Sequence, residues 1–250
     1  FKNTLNLEIH RKIMMKIAVA ILLCLVAAIS AAPLMEDWRV SGGQRARLGQ
    51  FPFAVWLNLG GSVCTGSILN ANTILTAGHC VQRKSAGQLT VYAGFITRGD
   101  RSMSTHKVRS IHINPLYRGS VSGDDCAVLK LSNSIRFDSY RKAINLGSAS
   151  HVPSPGSRAT FSGYGSPYIG TLMWATLTVT RCNWGGANPV CLTRTPASTQ
   201  GGDSGGPLFV QSGSQFYQIG VNSGAVGSGS RSYTLQARVD RAASFIRRYM

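Results

Sequence analysis

From about residue 50 onward the apolar residues come in short clusters rather than at helical spacing. "FAVWLNL" (53–59), "GSILN" (66–70), "LTVYAGF" (89–95), "CAVLKLS" (126–132), "LTVTRC" (177–182), "PLFVQ" (207–211) and "FYQIGV" (216–221) favour β-branched and aromatic residues. Each is bounded by Gly, Asn, Ser or Pro, which is how short strands are punctuated. Many such strands at close spacing predict an all-β sandwich or barrel. The chain end differs. In "VDRAASFIRRYM" (239–250), Val239, Ala242, Ala243, Ile246 and Tyr249 share one helical face, with Asp240 near the start and arginines near the end. That pattern predicts a helix over 239–250. No repeat or low-complexity linker interrupts the stretch from Val40 to Met250. It is long enough for one large or two small β units with a real core.

One apolar stretch has no strand or helix period. Ile17 to Ile29 is continuous, follows Lys16 and precedes Ser30-Ala31-Ala32. It is shorter than the roughly 20 residues a membrane span needs and reads as the core of a secretory signal. The expected organisation is therefore an upstream segment over 1–13 outside the native protein, a signal over 14–32, a short peptide over 33–39 and a folded domain over 40–250. An extracellular protein with no membrane span is expected.

Charge and cysteines refine this picture. The chain carries a formal +17, and after Val40 it has 21 Lys and Arg against 6 Asp and no Glu. The cations are scattered singly or in pairs, without the patches and interleaved aromatics of nucleic-acid binders. They read as a solvated cationic surface, so nucleic acid is not an expected partner. Outside the cytosol disulfides persist. Cys64, Cys80, Cys126, Cys182 and Cys191 remain after the signal, an odd set that suggests two bridges and one free thiol. No C-x-x-C pair and no N-x-S/T sequon occurs, which speaks against a zinc site and against N-glycosylation. His106, His112 and His151 show no ligand spacing and read as surface residues.

Three segments carry chemistry. "LTAGHC" sets His79 before a cysteine, "GDDCAVLKL" sets Asp125 at the head of an apolar strand, and "GGDSGGP" sets Ser204 in a glycine-rich turn. A serine hydroxyl is a weak nucleophile until an imidazole takes its proton. The imidazole needs a carboxylate to fix its tautomer. Glycines let the backbone direct amide hydrogens at one point, where an oxyanion can form.

With these motifs the chain from Val40 to Met250 resembles the trypsin- and chymotrypsin-fold serine proteases. The resemblance implies two antiparallel six-stranded β-barrels with the active site between them and a C-terminal α-helix. The N-terminal barrel falls at about 40–140, the C-terminal barrel at about 141–238 and the helix at about 239–250. It implies His79 as general base, Asp125 as its orienting carboxylate and Ser204 as nucleophile. The N–H groups of Gly202 and Ser204 form the oxyanion hole, and Ser223 hydrogen-bonds the aspartate. Asp124 competes with Asp125 for the carboxylate role, but "DCAVL" from 125 fits the family pattern and a one-residue shift would reverse the strand faces.

The resemblance further implies bridges Cys64–Cys80 and Cys182–Cys191, with Cys126 a buried small residue. It implies a zymogen cut after Arg39 by a protease of tryptic specificity, freeing the amine of Val40 to pair with Asp203. Ser198, six residues before the nucleophile, takes the floor of the primary specificity pocket, with Ala225 and Thr234 on its walls. A substrate cation there would lack a counter-charge, so apolar P1 residues from small aliphatic to Leu or Phe are expected. Gln200 stands where relatives carry half of a pocket bridge, and no cysteine follows Ser223. No cofactor, metal or calcium is expected. The implied partners are protein or peptide substrates, the activating protease and protein inhibitors. A monomer acting outside the cell, with digestion in the gut lumen as its setting, is the leading expectation. The alternative is an inactive homologue that acts as a cationic binding protein.

Overall fold

Each of the seven clusters forms a strand in the computed structural model, which describes residues 14–16, 43–182, 188–194, 198–227 and 232–250. The chain divides into Phe1–Asp37 and Trp38–Met250, and among the described residues the strands all lie in the second unit. After a two-residue strand β1 (Gln44–Arg45), the first barrel is built from β2 (Ala54–Asn58), β3 (Val63–Asn70), β4 (Thr73–Thr76), β5 (Thr90–Ala93), β6 (Ser104–Ile113) and β7 (Ala127–Leu131). They close in the order β2-β3-β4-β7-β6-β5, antiparallel throughout.

A short strand β8 (Asn145–Leu146) leads to the second barrel, made of β9 (Arg158–Gly163), β10 (Met173–Thr180), β11 (Val190–Thr193), β12 (Pro207–Ser212), β13 (Gln215–Val226) and β14 (Tyr233–Arg238). Its order is β9-β10-β11-β14-β13-β12, closed by pairing of β12 with β9. β1 is added to β10 and β8 to β13. The period of two is plain in β10, where Met173, Ala175, Leu177 and Val179 are buried and the residues between them are half-buried.

The barrels share a core. Phe51 and Phe53, at the entry to β2, pack against Phe209 of β12 and Phe216 of β13, with ring centroids 5.0 to 6.2 Å apart. Tilted and edge-on geometries dominate, as ring quadrupoles favour. A polar contact crosses the same junction. The Ser67 hydroxyl donates to Gln218 Oε1 at 2.6 Å, and Gln218 Nε2 donates to the Gly220 carbonyl at 3.0 Å. Both side chains are fully buried, so the Ser67 hydroxyl depends on Gln218 for its hydrogen bond.

Two expectations need correction. The C-terminal helix spans only Ala243–Arg248, although Val239, Ala242 and Ile246 are buried as the pattern implied. Asp240 does not cap it. Its carboxylate is held by Arg238, through Nε at 2.9 Å and Nη2 at 2.7 Å, and residues 239–242 turn instead. His106 is not a surface residue. It faces inward with Val108 on β6 while Lys107 and Arg109 face out. Asn133 Nδ2 lies 3.0 Å from its Nδ1 and Ser104 Oγ lies 2.9 Å from its Nε2. His112 and His151 are half-buried, stacked on Tyr249 and Tyr217 at centroid distances of 3.9 and 4.1 Å.

The bridges Cys64–Cys80 and Cys182–Cys191 are formed, and Cys126 is a buried free thiol. Among the described residues no helix is long and apolar enough to cross a membrane.

Candidate active site

The two barrels contribute to one place from opposite sides. His79 sits on the helical turn Gly78–Val81 that follows β4, and the Cys64–Cys80 bridge ties this turn to β3. Asp125 lies two residues before the start of β7, Ser204 lies in the turn before β12, and Ser223 lies within β13.

Asp125 is fully buried, and every contact of its carboxylate has a purpose in orienting His79. Its Oδ1 accepts the backbone N–H of His79 at 2.9 Å, and its Oδ2 lies 2.7 Å from His79 Nδ1. The Ser223 hydroxyl donates to that same Oδ2 at 2.6 Å and accepts the Ser122 N–H at 3.1 Å. A carboxylate accepts only, so the proton between Asp125 and His79 sits on Nδ1. The outer nitrogen, Nε2, is then the one able to take a proton. Asp124 has no such place; its carbonyl accepts from Asn114 Nδ2 and from the Cys126 N–H. Nearby, burial and the Asp125 carboxylate push the Tyr117 phenol up to about 12.

The turn carrying Ser204 is pressed against the segment that ends in His79. The Ser204 carbonyl accepts the Thr65 N–H at 2.8 Å. A Cβ on Gly205, whose φ is +80°, would meet Thr76 Oγ1 and stand 2.8 Å from the Ala77 nitrogen. Only glycine allows that approach. The carbonyls of Gly201 and Asp203 accept from the Ser166 and Gly206 N–H groups at 2.7 and 2.9 Å. In a trans peptide the N–H points opposite to the C=O. The N–H groups of Gly202 and Ser204 are therefore directed away from these anchors, and among the described residues neither donates to a protein acceptor.

Asp203 is fully buried beneath this turn. Its carboxylate accepts the N–H of Gly165 and of Gln200, each at 2.9 Å. Burial pushes it up to about 7 against these two donors. Among the described residues no side-chain cation pairs with it. Arg39 and Val40, the expected activation residues, lie outside the described residues.

Ser198 is buried, and Gln200 Nε2 donates to its hydroxyl at 2.9 Å. A hydrogen bond between Gln200 and Ser198 thus stands at the missing bridge. Ala225 and Thr234 are directly opposed across β13 and β14, with Ala225 exposed and Thr234 fully buried. Sequence reasoning missed Thr65, Thr199, Asn222 and Gln236. Thr65 Oγ1 donates to the Gly202 carbonyl at 2.9 Å and accepts the Tyr164 N–H at 3.0 Å, joining three segments. The other three form a buried amide and hydroxyl group beside Ser198. No sequence signal singled them out: Thr199 lies in a loop, and Thr65, Asn222 and Gln236 are strand residues whose partners are defined only by the neighbouring strands. The metal-ligating side chains that cluster among the described residues are Cys64, His79 and Cys80, and the two sulfurs are already joined to each other.

An imidazole held by a buried carboxylate, in the segment against which a serine-bearing glycine turn packs, is the arrangement expected of a serine peptidase. Sequence comparison agrees. The Trypsin family profile matches residues 40–246. Trypsin alpha of Drosophila melanogaster is 34% identical over 190 residues, which cover 69% of this chain and 73% of that protein. Trypsin delta of the same species is 32% identical over 190 residues, covering 69% and 74%. Trypsin epsilon of Drosophila erecta is 29% identical over 242 residues, covering 88% and 92%. The chain belongs to the trypsin family of serine endopeptidases.

Proposed function

We propose that the protein is a secreted digestive endopeptidase that uses Ser204, His79 and Asp125 to cleave after uncharged residues. The observation that carries the catalytic part is the chain of hydrogen bonds Ser223–Asp125–His79, which leaves His79 Nε2 as base. Ser204 Oγ attacks the scissile carbonyl as Nε2 takes its proton. The oxyanion forms against the N–H groups of Gly202 and Ser204, where fixed donors cost no reorganisation. The imidazolium then protonates the leaving amine, and water repeats the sequence on the acyl-enzyme.

The relatives above are named trypsins, but Ser198 argues for a different preference here. A P1 cation at its level would meet no carboxylate, and an unpaired buried charge costs several kcal/mol. From Ser198 alone the expected P1 residues are apolar, from small aliphatic to Leu or Phe. Cleavage after Arg39 frees the Val40 amine, which supplies the cation that buried Asp203 otherwise lacks. Substrates differing only at P1 test this reading: uncharged P1 residues should be cut at least tenfold better than Arg or Lys. A preference for Arg or Lys would overturn it.

A further inference from the structure

Ser198 is a buried hydroxyl that is hydrogen-bonded before any substrate arrives. Among the described residues its partner is the side-chain amide of Gln200, at 2.9 Å. A hydroxyl both donates and accepts, so the bond forms with either end of the amide facing it. Gln200 is half-buried and is anchored through its backbone. Its N–H donates to Asp203 Oδ2 at 2.9 Å, and its carbonyl accepts the Asp203 N–H at 3.1 Å. Between the two residues, buried Thr199 faces Asn222 Oδ1 on β13 at 3.4 Å. Residues 198–200 are thus fixed to both the Ser204 turn and β13, and the Ser198–Gln200 pair is built on that anchored segment.

A buried hydroxyl without a partner is costly, so a ligand that covers one must either bond it or leave it orphaned. An apolar side chain cannot bond it. We propose that Gln200 determines specificity: by bonding the Ser198 hydroxyl, its amide lets an apolar P1 side chain close over the pocket floor without orphaning that hydroxyl. This rests on the peptidase reading above and on its placement of Ser198 at the floor. A polar P1 group gains less there, because the hydroxyl is already engaged, and it gives up its own bonds to water on entry. Removing the Gln200 amide reverses the comparison. The freed hydroxyl then favours a P1 group that bonds it over one that cannot. Substituting the side chain isolates this effect, because both bonds from Gln200 to Asp203 run through the backbone and survive in any residue but proline.

The test uses the chain cleaved after Arg39 and peptides identical except for Leu or Asn at P1, similar in size but one apolar and one polar. For the wild type, kcat/KM per titrated active site should be tenfold or more higher for Leu. Gln200→Met keeps the side-chain length and should lower the Leu to Asn ratio fivefold or more; should it fail to fold, Gln200→Ala carries the same expectation. Adding Ser198→Ala should restore the ratio, because the orphaned hydroxyl goes with it. An unchanged ratio in the single variant, or a lowered ratio that Ser198→Ala does not restore, overturns the proposal. Equal losses on both peptides, with labelling by a small serine-directed covalent inhibitor slowed in step, would assign Gln200 to the turn and overturn it too. A wild type that takes the label but cuts Asn as well as Leu overturns the proposal while the peptidase reading stands. No labelling of the cleaved, folded wild type overturns the peptidase reading itself and is recognised before any ratio is measured.

Discussion

Ser223 Oγ and His79 Nδ1 meet on a single oxygen, Asp125 Oδ2, at 2.6 and 2.7 Å. Asp125→Asn replaces one acceptor oxygen by a donor and favours the wrong tautomer of His79. The expected fall in kcat at neutral pH is about 10⁴-fold, the size known for this change in trypsin-family enzymes. Ser223→Ala removes one bond to a buried charge, worth about 1.5–3 kcal/mol, and should lower kcat/KM by roughly ten- to 150-fold. Steady-state kinetics on both variants check the order; a Ser223→Ala loss as large as that of Asp125→Asn would contradict it.

Under the proposed activation, Asp203 should make stability depend on cleavage. In the uncleaved chain its pKa is raised from 3.8 to about 7 by burial. Such a group holds its proton more tightly folded than unfolded. Its contribution to stability is therefore full below about pH 4 and is lost as pH rises through about 7. Pairing with the Val40 amine would favour the charged form and reverse that loss. Thermal unfolding from pH 4 to 8 should show the cleaved protein gaining on the uncleaved one as pH rises. Parallel curves would count against the pairing.

Cys126 should be chemically silent. It is buried, and desolvation pushes its thiol up to about 12, with Asp125 and Asp124 adding to the shift and an Asn114 hydrogen bond opposing it. Thiolate is the reactive form. A thiol reagent at pH 8 should leave the native protein unlabelled and label one thiol on unfolding without reductant. Rapid labelling of the native protein would contradict this.

Gln218→Leu tests the polar contact between the barrels. It leaves the Ser67 hydroxyl buried without its partner, at a cost of about 1–3 kcal/mol. For a domain of this size each kcal/mol lowers Tm by roughly 2–4 °C. Adding Ser67→Ala should recover part of the loss, because the orphaned hydroxyl goes with it. No recovery in the double variant would show that packing, rather than the hydrogen bond, sets the cost.

The strands were legible because clusters such as "CAVLKLS" are short, β-prone and sharply bounded, and β7 has little other use for them. The helix start was not legible, because Asp240 had two possible employments and the Arg238 guanidinium, two residues away on β14, outcompeted the helix end. His106 lacks ligand spacing, but the alternation of "THKVR" in and out puts it on the inner face of β6 with Val108. The motif residues His79, Asp125 and Ser204 stood out from their glycine-rich or strand-head settings. Asn222 and Gln236 did not, since a polar residue inside a strand gains meaning only when the facing strand is known. Register supplied that meaning by placing the two amides opposite each other.

The central claim is that Ser204 is a nucleophile activated by His79. The most direct measurement is titration with a serine-directed covalent inhibitor after cleavage at Arg39. One label per chain, located on Ser204 and lost in both Ser204→Ala and His79→Ala, is the expected result. A cleaved, folded wild-type protein that takes up no label would contradict it and leave the cationic binding protein as the better account.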